Sequence, residues 1–337
     1  MHSAATTHLH LALDGSADDL TRELETFAPG LVHTFVSPSV LSIDLTGSIL
    51  RPAYASQVLP DVQPLSGASI GLLARAVFDA IVGLPDAPWR LHVFTHPLES
   101  PPVSSRRVAL VRVALDELLK KKQRRLLRSR VASDVPRAAE TIVQVLLLSA
   151  ENGFISIASD AAVSPFVAGI PTLVDDQRPP SRAYLKLLEM EAHLGQRIVA
   201  GETCVDLGGS PGGWTFVALD RGASCVSVDR SPLREDIMAH SSFSFVKGDA
   251  FAFVPKAPVD WLLCDVIAVP ERSLEMLTNW IDKKLCRRFC VTLKFKGDAD
   301  MNILVRARAA FDARPVRYDM RRLAVNKNEL SVFGTLS

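Results

Sequence analysis

A glycine-rich segment followed by an isolated carboxylate is the clearest candidate for chemistry in this sequence. Asp206 comes just before the segment 208–213, which reads Gly-Gly-Ser-Pro-Gly-Gly, and the next apolar stretch ends at Asp229. An apolar strand, a glycine-rich turn, a helix and a second strand ending in an acid form the layout of a nucleotide-cofactor site. The glycines do not follow the Gly-x-Gly-x-x-Gly spacing of dinucleotide sites, which argues against NAD.

The charge of this segment indicates which cofactor it suits. Asp206 stands where a pyrophosphate would be repelled and a cation tolerated. S-adenosylmethionine carries a sulfonium and an ammonium group but no phosphate, so the sequence favours it, with Asp229 holding the ribose hydroxyls. The weaker alternative is a tight strand-to-helix turn that binds nothing.

Charged residues also stand at the ends of other apolar runs. Asp265 follows Trp261-Leu-Leu-Cys, and Lys294 follows Val-Thr-Leu. A charge directly after a buried strand is desolvated unless it lies at an edge or is paired. Lys294 and Asp265 are therefore candidates for one ion-paired cluster, with Lys186 and Glu329 as further polar candidates. Taken singly, each could instead be a solvated charge.

The second half of the sequence predicts the elements that would position these residues. Strands are predicted at Val205, up to Asp229, and over 243–247, 259–264, 288–295 and 329–333. Helices are predicted over 181–193, with Ser181 as the cap, and over 214–220, 273–284 and 302–311. This alternation indicates an α/β fold with a doubly wound, mainly parallel sheet that binds ligands at the carboxyl ends of its strands.

The first half gives a weaker α+β pattern. Strands are predicted over 8–13, 40–45 and 89–94, a hairpin over 141–148 and 154–158, and helices over 18–27 and 69–82. The expected organisation is a smaller α+β domain over 1–160, a Pro- and Asp-rich linker over 161–180 and an α/β domain over 181–337.

One segment of the first half, Ser104 to Arg137, is strongly basic. Val108, Val111, Ala114, Leu115 and Leu118 fit one helical face, so part of the segment is predicted to be a helix with a cationic exposed side. The formal net charge of the chain is only +1, so this positive charge is local. It predicts contact with RNA, and a solvated charged helix is the alternative. The candidate RNA-binding residues are Lys120, Lys121, Lys122, Arg124, Arg125 and Arg128.

Composition narrows the function classes. No apolar run reaches the roughly twenty residues of a membrane span, and the amino-terminal residues lack the pattern of a signal peptide, so a cytoplasmic protein is expected. The cysteines are expected to be buried free thiols. Cys286 and Cys290 lack a matching pair, and the histidines at 8, 10, 92 and 96 are scattered over two predicted strands, so no metal site is expected.

Several short motifs together resemble a known family. They are Ser-Arg-Ala-Tyr-Leu-Lys186-Leu, Asp206-Leu-Gly-Gly-Ser-Pro-Gly-Gly-Trp-Thr, Trp-Leu-Leu-Cys-Asp265, Leu-Lys294 and Asn-Glu329-Leu-Ser-Val. This set resembles the FtsJ-type ribose 2′-O-methyltransferases with their Lys-Asp-Lys-Glu tetrad, and within them most resembles the M-type 23S ribosomal RNA cytidine 2′-O-methyltransferases. The resemblance implies a Rossmann-like domain that uses S-adenosylmethionine, preceded by a THUMP-like RNA-binding module.

The resemblance also implies residue roles. Lys294 would take the proton of the ribose hydroxyl, Asp265 would orient Lys294, and Lys186 and Glu329 would complete the polar network. Lys296 lies two residues further along the same strand face, which leaves the register of the base open. The implied cofactor contacts are Ser210, Pro211, Gly212, Gly213, Asp229, Asp249 and Asp265, with Asp249 near the adenine.

Other readings remain. An enzyme that methylates amino groups typically has the motif Asn-Pro-Pro or Asp-Pro-Pro followed by an aromatic residue after the fourth strand. Here Asp265 is followed by Val-Ile-Ala-Val-Pro. An enzyme that methylates cytosine at carbon 5 needs a cysteine nucleophile in that loop. Cys264 lies inside an apolar run, where a thiol is expected to be inert. A non-catalytic RNA-binding or ribosome-assembly factor that kept the fold is the main alternative.

Overall fold

The computed structural model describes residues 5–47, 49–96, 103–131, 140–159 and 163–337. The chain divides into two compact units, Met1–Ile170 and Pro171–Ser337. The predicted linker, 161–180, spans this division, and its first two residues lie outside the described part. Within the described ranges, no helix is both long enough and apolar enough to cross a membrane.

The first unit contains two four-stranded sheets and the helices that pack on them. Its elements are β1 (Thr6–Ala12), α1 (Ala17–Phe27), β2 (His33–Ser37), β3 (Val40–Leu45), β4 (Ala55–Leu59), β5 (Gln63–Ser66), α2 (Ile70–Ile81), β6 (Trp89–Phe94), α3 (Ser105–Lys122), α4 (Arg124–Ser129), β7 (Thr141–Leu147) and β8 (Asn152–Ser159). The strand orders are β2-β3-β1-β4 and β5-β8-β7-β6. The predicted hairpin is confirmed, since β7 and β8 pair antiparallel.

The predicted strand over 89–94 is present as β6. Every residue of this strand is buried, including Arg90 and His92. The Arg90 guanidinium lies 2.8 Å from a carboxylate oxygen of Glu140, which is also buried. Alternation of polar and apolar residues therefore marks a buried ion pair here and not a solvated face.

The predicted basic helix is confirmed as α3. The Ser104 side chain caps it by accepting a hydrogen bond from the Arg107 amide at 3.2 Å. Val111, Leu115 and Leu119 are fully buried against the second sheet and α2. A second short helix, α4, continues the basic segment, while residues 132–139, including Arg137, lie outside the described part.

The second unit is the predicted α/β domain with one mixed sheet. Its elements are α5 (Tyr184–Leu194), β9 (Thr203–Leu207), α6 (Gly213–Asp220), β10 (Ser224–Asp229), α7 (Glu235–Met238), β11 (Phe243–Lys247), β12 (Val259–Cys264), α8 (Pro270–Asp282), β13 (Cys286–Lys294), α9 (Met301–Asp312), β14 (Val316–Arg321) and β15 (Glu329–Leu336). The strand order is β11-β10-β9-β12-β13-β15-β14. The first five strands of this order are parallel, and β15 is antiparallel to both neighbours.

Helices cover both faces of this sheet, which is why its central strands read as continuous apolar runs. On one face, Trp261 and Leu263 pack with Trp214 of α6 and Met190 of α5. On the other face, Phe289 of β13 stacks on Phe311 of α9, with ring centroids 6.5 Å apart. All five cysteines are buried free thiols, as predicted.

Two expectations for this unit need correction. Ser181 does not cap α5, because the helix begins at Tyr184 with Ala183 in the cap position and no side-chain cap. Strand β14 was not predicted, because its sequence Val-Arg-Tyr-Asp-Met-Arg is that of a half-exposed edge strand with only Met320 buried.

Candidate functional site

The glycine segment forms a tight loop between β9 and α6. Gly208 and Gly212 adopt φ values of 76° and 114°, a region that favours glycine. A Cβ on Gly209 would lie 2.1 Å from the Ser227 hydroxyl oxygen, and one on Gly213 would lie 2.5 Å from the Ser181 hydroxyl oxygen. Larger side chains would therefore displace the loop, so the backbone itself lines the adjoining space.

Asp206, a buried residue of β9, anchors this loop. It is buried, and one carboxylate oxygen accepts hydrogen bonds from the Thr215 amide at 3.1 Å and the Thr215 hydroxyl at 2.6 Å. Burial raises the pKa of Asp206 to about 7, although the bonds from Thr215 act in the opposite direction. The side chain thus fixes the first turn of α6 against the end of β9.

Asp229 and Asp249 follow the next two strand ends. Asp229 accepts hydrogen bonds from the backbone amides of Ser210 at 3.1 Å and Ser231 at 2.9 Å, which orient its carboxylate. Asp249 accepts from the Phe251 amide at 3.1 Å and pairs with Arg272 at 2.7 Å. These two partners hold the pKa of Asp249 below its usual value.

Arg272 is a residue that sequence reasoning missed. Its guanidinium pairs with Asp249 and also lies over the Phe251 ring, 4.2 Å from the ring centroid. A cavity of about 430 Å³ is lined by Asp229, Asp249, Phe251 and Arg272. The only signal in the sequence was an arginine in the first turn of a helix that follows a strand end.

Lys186, Asp265, Lys294 and Glu329 form one cluster, called the tetrad below. The Lys186 ammonium lies 2.6 Å from a Glu329 oxygen and 3.2 Å from both Asp265 oxygens. The Lys294 ammonium lies 2.9 Å from an Asp265 carboxylate oxygen and 3.9 Å from Glu329, and it donates to the Asp265 carbonyl at 2.8 Å. All four side chains are at most 20% exposed. The expected ion-paired cluster is therefore present in the fold.

Strand register brings the tetrad together. Lys294 lies directly opposite Glu329 in the antiparallel pair of β13 and β15. Asp265 follows β12, which pairs in parallel with β13. Lys186 reaches the cluster from α5. Lys296 is exposed and makes no contact with the tetrad, so among the described residues Lys294 is the lysine that β13 places against Asp265.

The glycine loop and the tetrad border the same space. A cavity of about 410 Å³ is lined by Asp206, Ser210, Asp229, Asp265 and Lys294, and by the backbone of the glycine loop. Lys294 is the only lysine or arginine among the described residues that line it. Asp229 and Asp265 face one lysine in this cavity, a balance of charge that suits a positively charged ligand without phosphate better than a dinucleotide.

Comparison with known families gives a match for part of the second unit. Residues 179–300 match the family described as FtsJ-like methyltransferase, so this part of the chain is similar to that family. The match includes the glycine loop, Asp229, Asp249 and three members of the tetrad, while Glu329 lies beyond it.

Two curated relatives of the chain carry the same name. The chain is 38% identical over 158 residues to the ribosomal RNA large subunit methyltransferase M of Stutzerimonas stutzeri, covering 44% of this chain and 45% of that protein. It is 31% identical over 211 residues to the protein of the same name from Thauera aminoaromatica, covering 59% and 58%. The chain thus spans about half the length of the curated relatives it matches.

Solved structures resemble the chain only distantly. One is a 1,6-didemethyltoxoflavin-N1-methyltransferase from Burkholderia thailandensis with bound S-adenosylhomocysteine, at a TM-score of 0.36 and 17% identity, covering 47% of this chain and 80% of that one. Likeness at this level does not bear on substrate or mechanism.

Two further residues of the second unit make contacts that the sequence did not predict. Thr292 is fully buried and donates a hydrogen bond to an Asp265 oxygen at 2.8 Å. It lies two residues before Lys294 on the same face of β13, which is the signal that could have identified it. Trp214 donates from its indole to the Ala183 carbonyl at 2.7 Å and so ties α6 to the turn before α5.

Cys264 is not available for nucleophilic chemistry. It is fully buried, and burial raises the pKa of its thiol to about 12. A thiolate is the reactive form of cysteine. The expectation that this thiol is inert agrees with its surroundings.

The predicted RNA-binding residues lie in the first unit. Lys120, Lys121, Lys122, Arg124 and Arg128 are exposed. Arg125 is half-buried and donates to the Leu84 carbonyl at 2.9 Å, so it has a structural role. Lys120 pairs with Glu117 at 2.8 Å. RNA binding by this surface stays a prediction, as does the THUMP-like character of the unit.

Proposed function

We propose that this protein is an S-adenosylmethionine-dependent ribose 2′-O-methyltransferase that acts on a cytidine of 23S ribosomal RNA. The observation that carries the proposal is the tetrad, which adjoins the cavity lined by the glycine loop. The relatives named ribosomal RNA large subunit methyltransferase M support the substrate class. S-adenosylmethionine, when bound, supplies an electrophilic methyl group on a sulfonium.

The residues of the cavity fit this cofactor. Gly208, Gly209 and Gly213 line the cavity and carry no side chain, so their backbone can approach a ligand. Asp229, held by two amides, would accept hydrogen bonds from ribose hydroxyls. Ser210, Pro211, Gly212 and Gly213 would contact the amino-acid part, and Asp249 would lie near the adenine.

The tetrad supplies the proton acceptor. The ribose 2′-oxygen would form a new O–C bond to the methyl group as the S–CH3 bond of the cofactor breaks and S-adenosylhomocysteine is released, and the hydroxyl proton would go to the Lys294 Nζ. A lysine accepts a proton only as the neutral amine, so Lys294 must reach this form before the step. Asp265 fixes the Lys294 amine through its carboxylate and its carbonyl. Thr292 and Lys186 in turn fix the Asp265 carboxylate.

Methyl transfer to purified ribosomal RNA tests the proposal. The protein is incubated with methyl-labelled S-adenosylmethionine and ribosomal RNA from cells that lack it, and the digested nucleosides are separated by mass. The expected product is 2′-O-methylcytidine from large-subunit RNA. Label on a base, or binding of RNA without any transfer, would instead favour base methylation or a non-catalytic assembly factor.

A further inference from the structure

A second cavity adjoins the one described above. It has a volume of about 960 Å³ and is lined by Lys186, Lys294 and Glu329 of the tetrad. Ala183, Ile267 and Lys294 line both cavities. A hydroxyl that gives its proton to Lys294 can therefore be presented from this second cavity.

The rim of the second cavity carries uncompensated positive charge. Arg182, Lys296 and Lys327 line it and are exposed. Arg182 pairs with Asp175 at 2.9 Å. Lys296 and Lys327 have no salt bridge to any carboxylate in the described part of the chain. Two unpaired ammonium groups beside a cavity favour an anionic ligand.

The two lysines stand on loops that are bound to each other. Lys296 follows β13, and Lys327 comes shortly before β15. The Asn328 side-chain amide donates to the carbonyls of Phe295 and Gly297, and the Phe295 amide donates to the Asn328 carbonyl at 3.0 Å. These bonds fix the backbone that carries both lysines, so the pair is a built feature of this rim.

Exposed apolar side chains also line the second cavity. Ile267 is 90% exposed and Val269 is 48% exposed. Cations together with exposed apolar groups suit a single-stranded nucleotide, whose phosphate needs charge and whose unstacked base needs an apolar contact. An acidic peptide could bind the positive rim, but it has no ribose hydroxyl to present to Lys294.

We propose that Lys296 and Lys327 form a phosphate-binding pair that holds the backbone of single-stranded RNA beside the nucleotide to be methylated. This inference rests on the proposed function and adds the residues that position the substrate. Lys296 is then a substrate-positioning residue, distinct in role from Lys294 two residues earlier. Lysine binds phosphate as a compact point charge, so both contacts are electrostatic.

The test is the salt dependence of RNA binding by the full chain. A fluorescein-labelled single-stranded RNA dodecamer is titrated in the presence of S-adenosylhomocysteine at several salt concentrations, with fluorescence anisotropy as the readout. The double variant Lys296→Gln/Lys327→Gln is compared with Lys256→Gln/Lys283→Gln, whose exposed lysines lie at the amino-terminal edge of the sheet. Loss of two phosphate contacts should lower the slope of log affinity against log salt by about 1.4.

The outcomes separate this inference from the proposed function. A slope that falls in the rim variant and not in the matched variant supports the phosphate pair. Equal slopes in both variants would overturn it, even if the wild-type protein methylates ribose. Conversely, a wild-type protein that transfers no methyl group would refute the proposed function while a lower slope still supported RNA binding here. Poly-glutamate is titrated in the same way. If the rim variant lost as much affinity for poly-glutamate as for RNA, that result would also overturn the phosphate pair.

Discussion

The glycine loop with Asp206 and Asp229, called the cofactor region here, is held together differently from the tetrad. In the cofactor region, backbone amides hold both carboxylates, the Thr215 hydroxyl adds a bond to Asp206, and all these donors come from residues at most about twenty positions away. In the tetrad, four charged side chains from four separate elements hold one another. The first arrangement is local, whereas the second exists only in the folded sheet.

This difference has an energetic consequence. Removing a carboxylate from the cofactor region leaves neutral amides without a partner, which costs the net energy of hydrogen bonds to a charged group. Removing one member of the tetrad leaves its partner of opposite charge partly buried without a full ion pair, which costs free energy. Single substitutions should therefore weaken cofactor binding in the first region and disrupt the reaction in the second.

The largest expected effect is loss of methyl transfer when Lys294 is replaced. Lys294→Arg keeps the positive charge beside Asp265, but a guanidinium cannot give up its proton to become a base. We expect the rate of transfer at saturating substrates to fall by about 10²- to 10⁴-fold, the usual contribution of a general base. Single-turnover kinetics with RNA and labelled cofactor measures this rate.

Cofactor affinity is the control for that variant. Isothermal titration should give Lys294→Arg and the wild-type protein the same affinity for S-adenosylhomocysteine within about threefold, less than 1 kcal/mol. Lys296→Ala should raise the KM for RNA and keep kcat. If Lys294→Arg kept wild-type turnover while Lys296→Ala lost it, the assignment of the base would be wrong.

The next effect is a pH dependence of stability that comes from Asp206. Its pKa is raised by burial from 3.8 to about 7 in the folded protein. A raised pKa stabilises the fold fully below the unfolded value, and this contribution is lost as pH rises through the folded value. Between pH 4 and 7 the loss is on the order of 4 kcal/mol. Urea unfolding of the cofactor-free protein at several pH values measures it.

Asp206→Asn isolates that contribution. Asparagine keeps an oxygen that can accept from Thr215 but does not ionise. The difference in unfolding free energy between Asp206→Asn and the wild-type protein should change steadily over this pH range. Glu189 and Glu191, whose pKa values are also raised by burial, contribute equally to both proteins. A difference that does not vary with pH would show that Asp206 stays ionised in the fold.

A smaller effect is expected for Asp229. Asp229→Ala removes the carboxylate that would hold the ribose of the cofactor, and loss of hydrogen bonds to a charged group costs about 1.5–3 kcal/mol. The Kd for S-adenosylhomocysteine should therefore rise about 10- to 100-fold. Asp282→Ala, which removes an exposed carboxylate paired with Arg314, is the matched control. Unchanged affinity in Asp229→Ala would remove Asp229 from the site.

The smallest effect is expected for Arg272. Its pair with Asp249 is exposed, and exposed ion pairs contribute little. Arg272→Ala should weaken binding of S-adenosylhomocysteine by at most about fivefold, because Asp249 still accepts a hydrogen bond from the Phe251 amide. Arg75→Ala breaks a comparably exposed pair with Asp79, also beside a phenylalanine ring, and serves as the control. Tighter binding by Arg272→Ala would mean that Arg272 competes with the cofactor for Asp249.

The same difference explains how much the sequence could predict. The glycine loop and its trailing acid are adjacent in the chain, so spacing alone identified the site and Asp229. The members of the tetrad are separated by up to 143 positions, from 186 to 329. Asp265 and Lys294 were candidates because each follows an apolar run, but the roles of all four residues came only from the resemblance to a family. Their distances follow from the pairing of β12 and β13 and the antiparallel return of β15, which periodicity does not encode.

Residues that act through a neighbour were the ones missed. Thr292 looks like an ordinary β-branched residue in an apolar strand, and Arg272 like a surface charge on a helix. In the first unit, β2, β4 and β5 were not predicted, and all three are short strands of four or five residues.

The most direct test of the central claim is a map of ribose methylation in ribosomal RNA. RNA from cells lacking the protein is compared with RNA from cells complemented by the wild-type chain or by Lys294→Arg. We predict that one 2′-O-methylated cytidine of 23S ribosomal RNA is lost on deletion, restored by the wild-type chain and not restored by Lys294→Arg. An unchanged map on deletion, or full restoration by Lys294→Arg, would contradict the account.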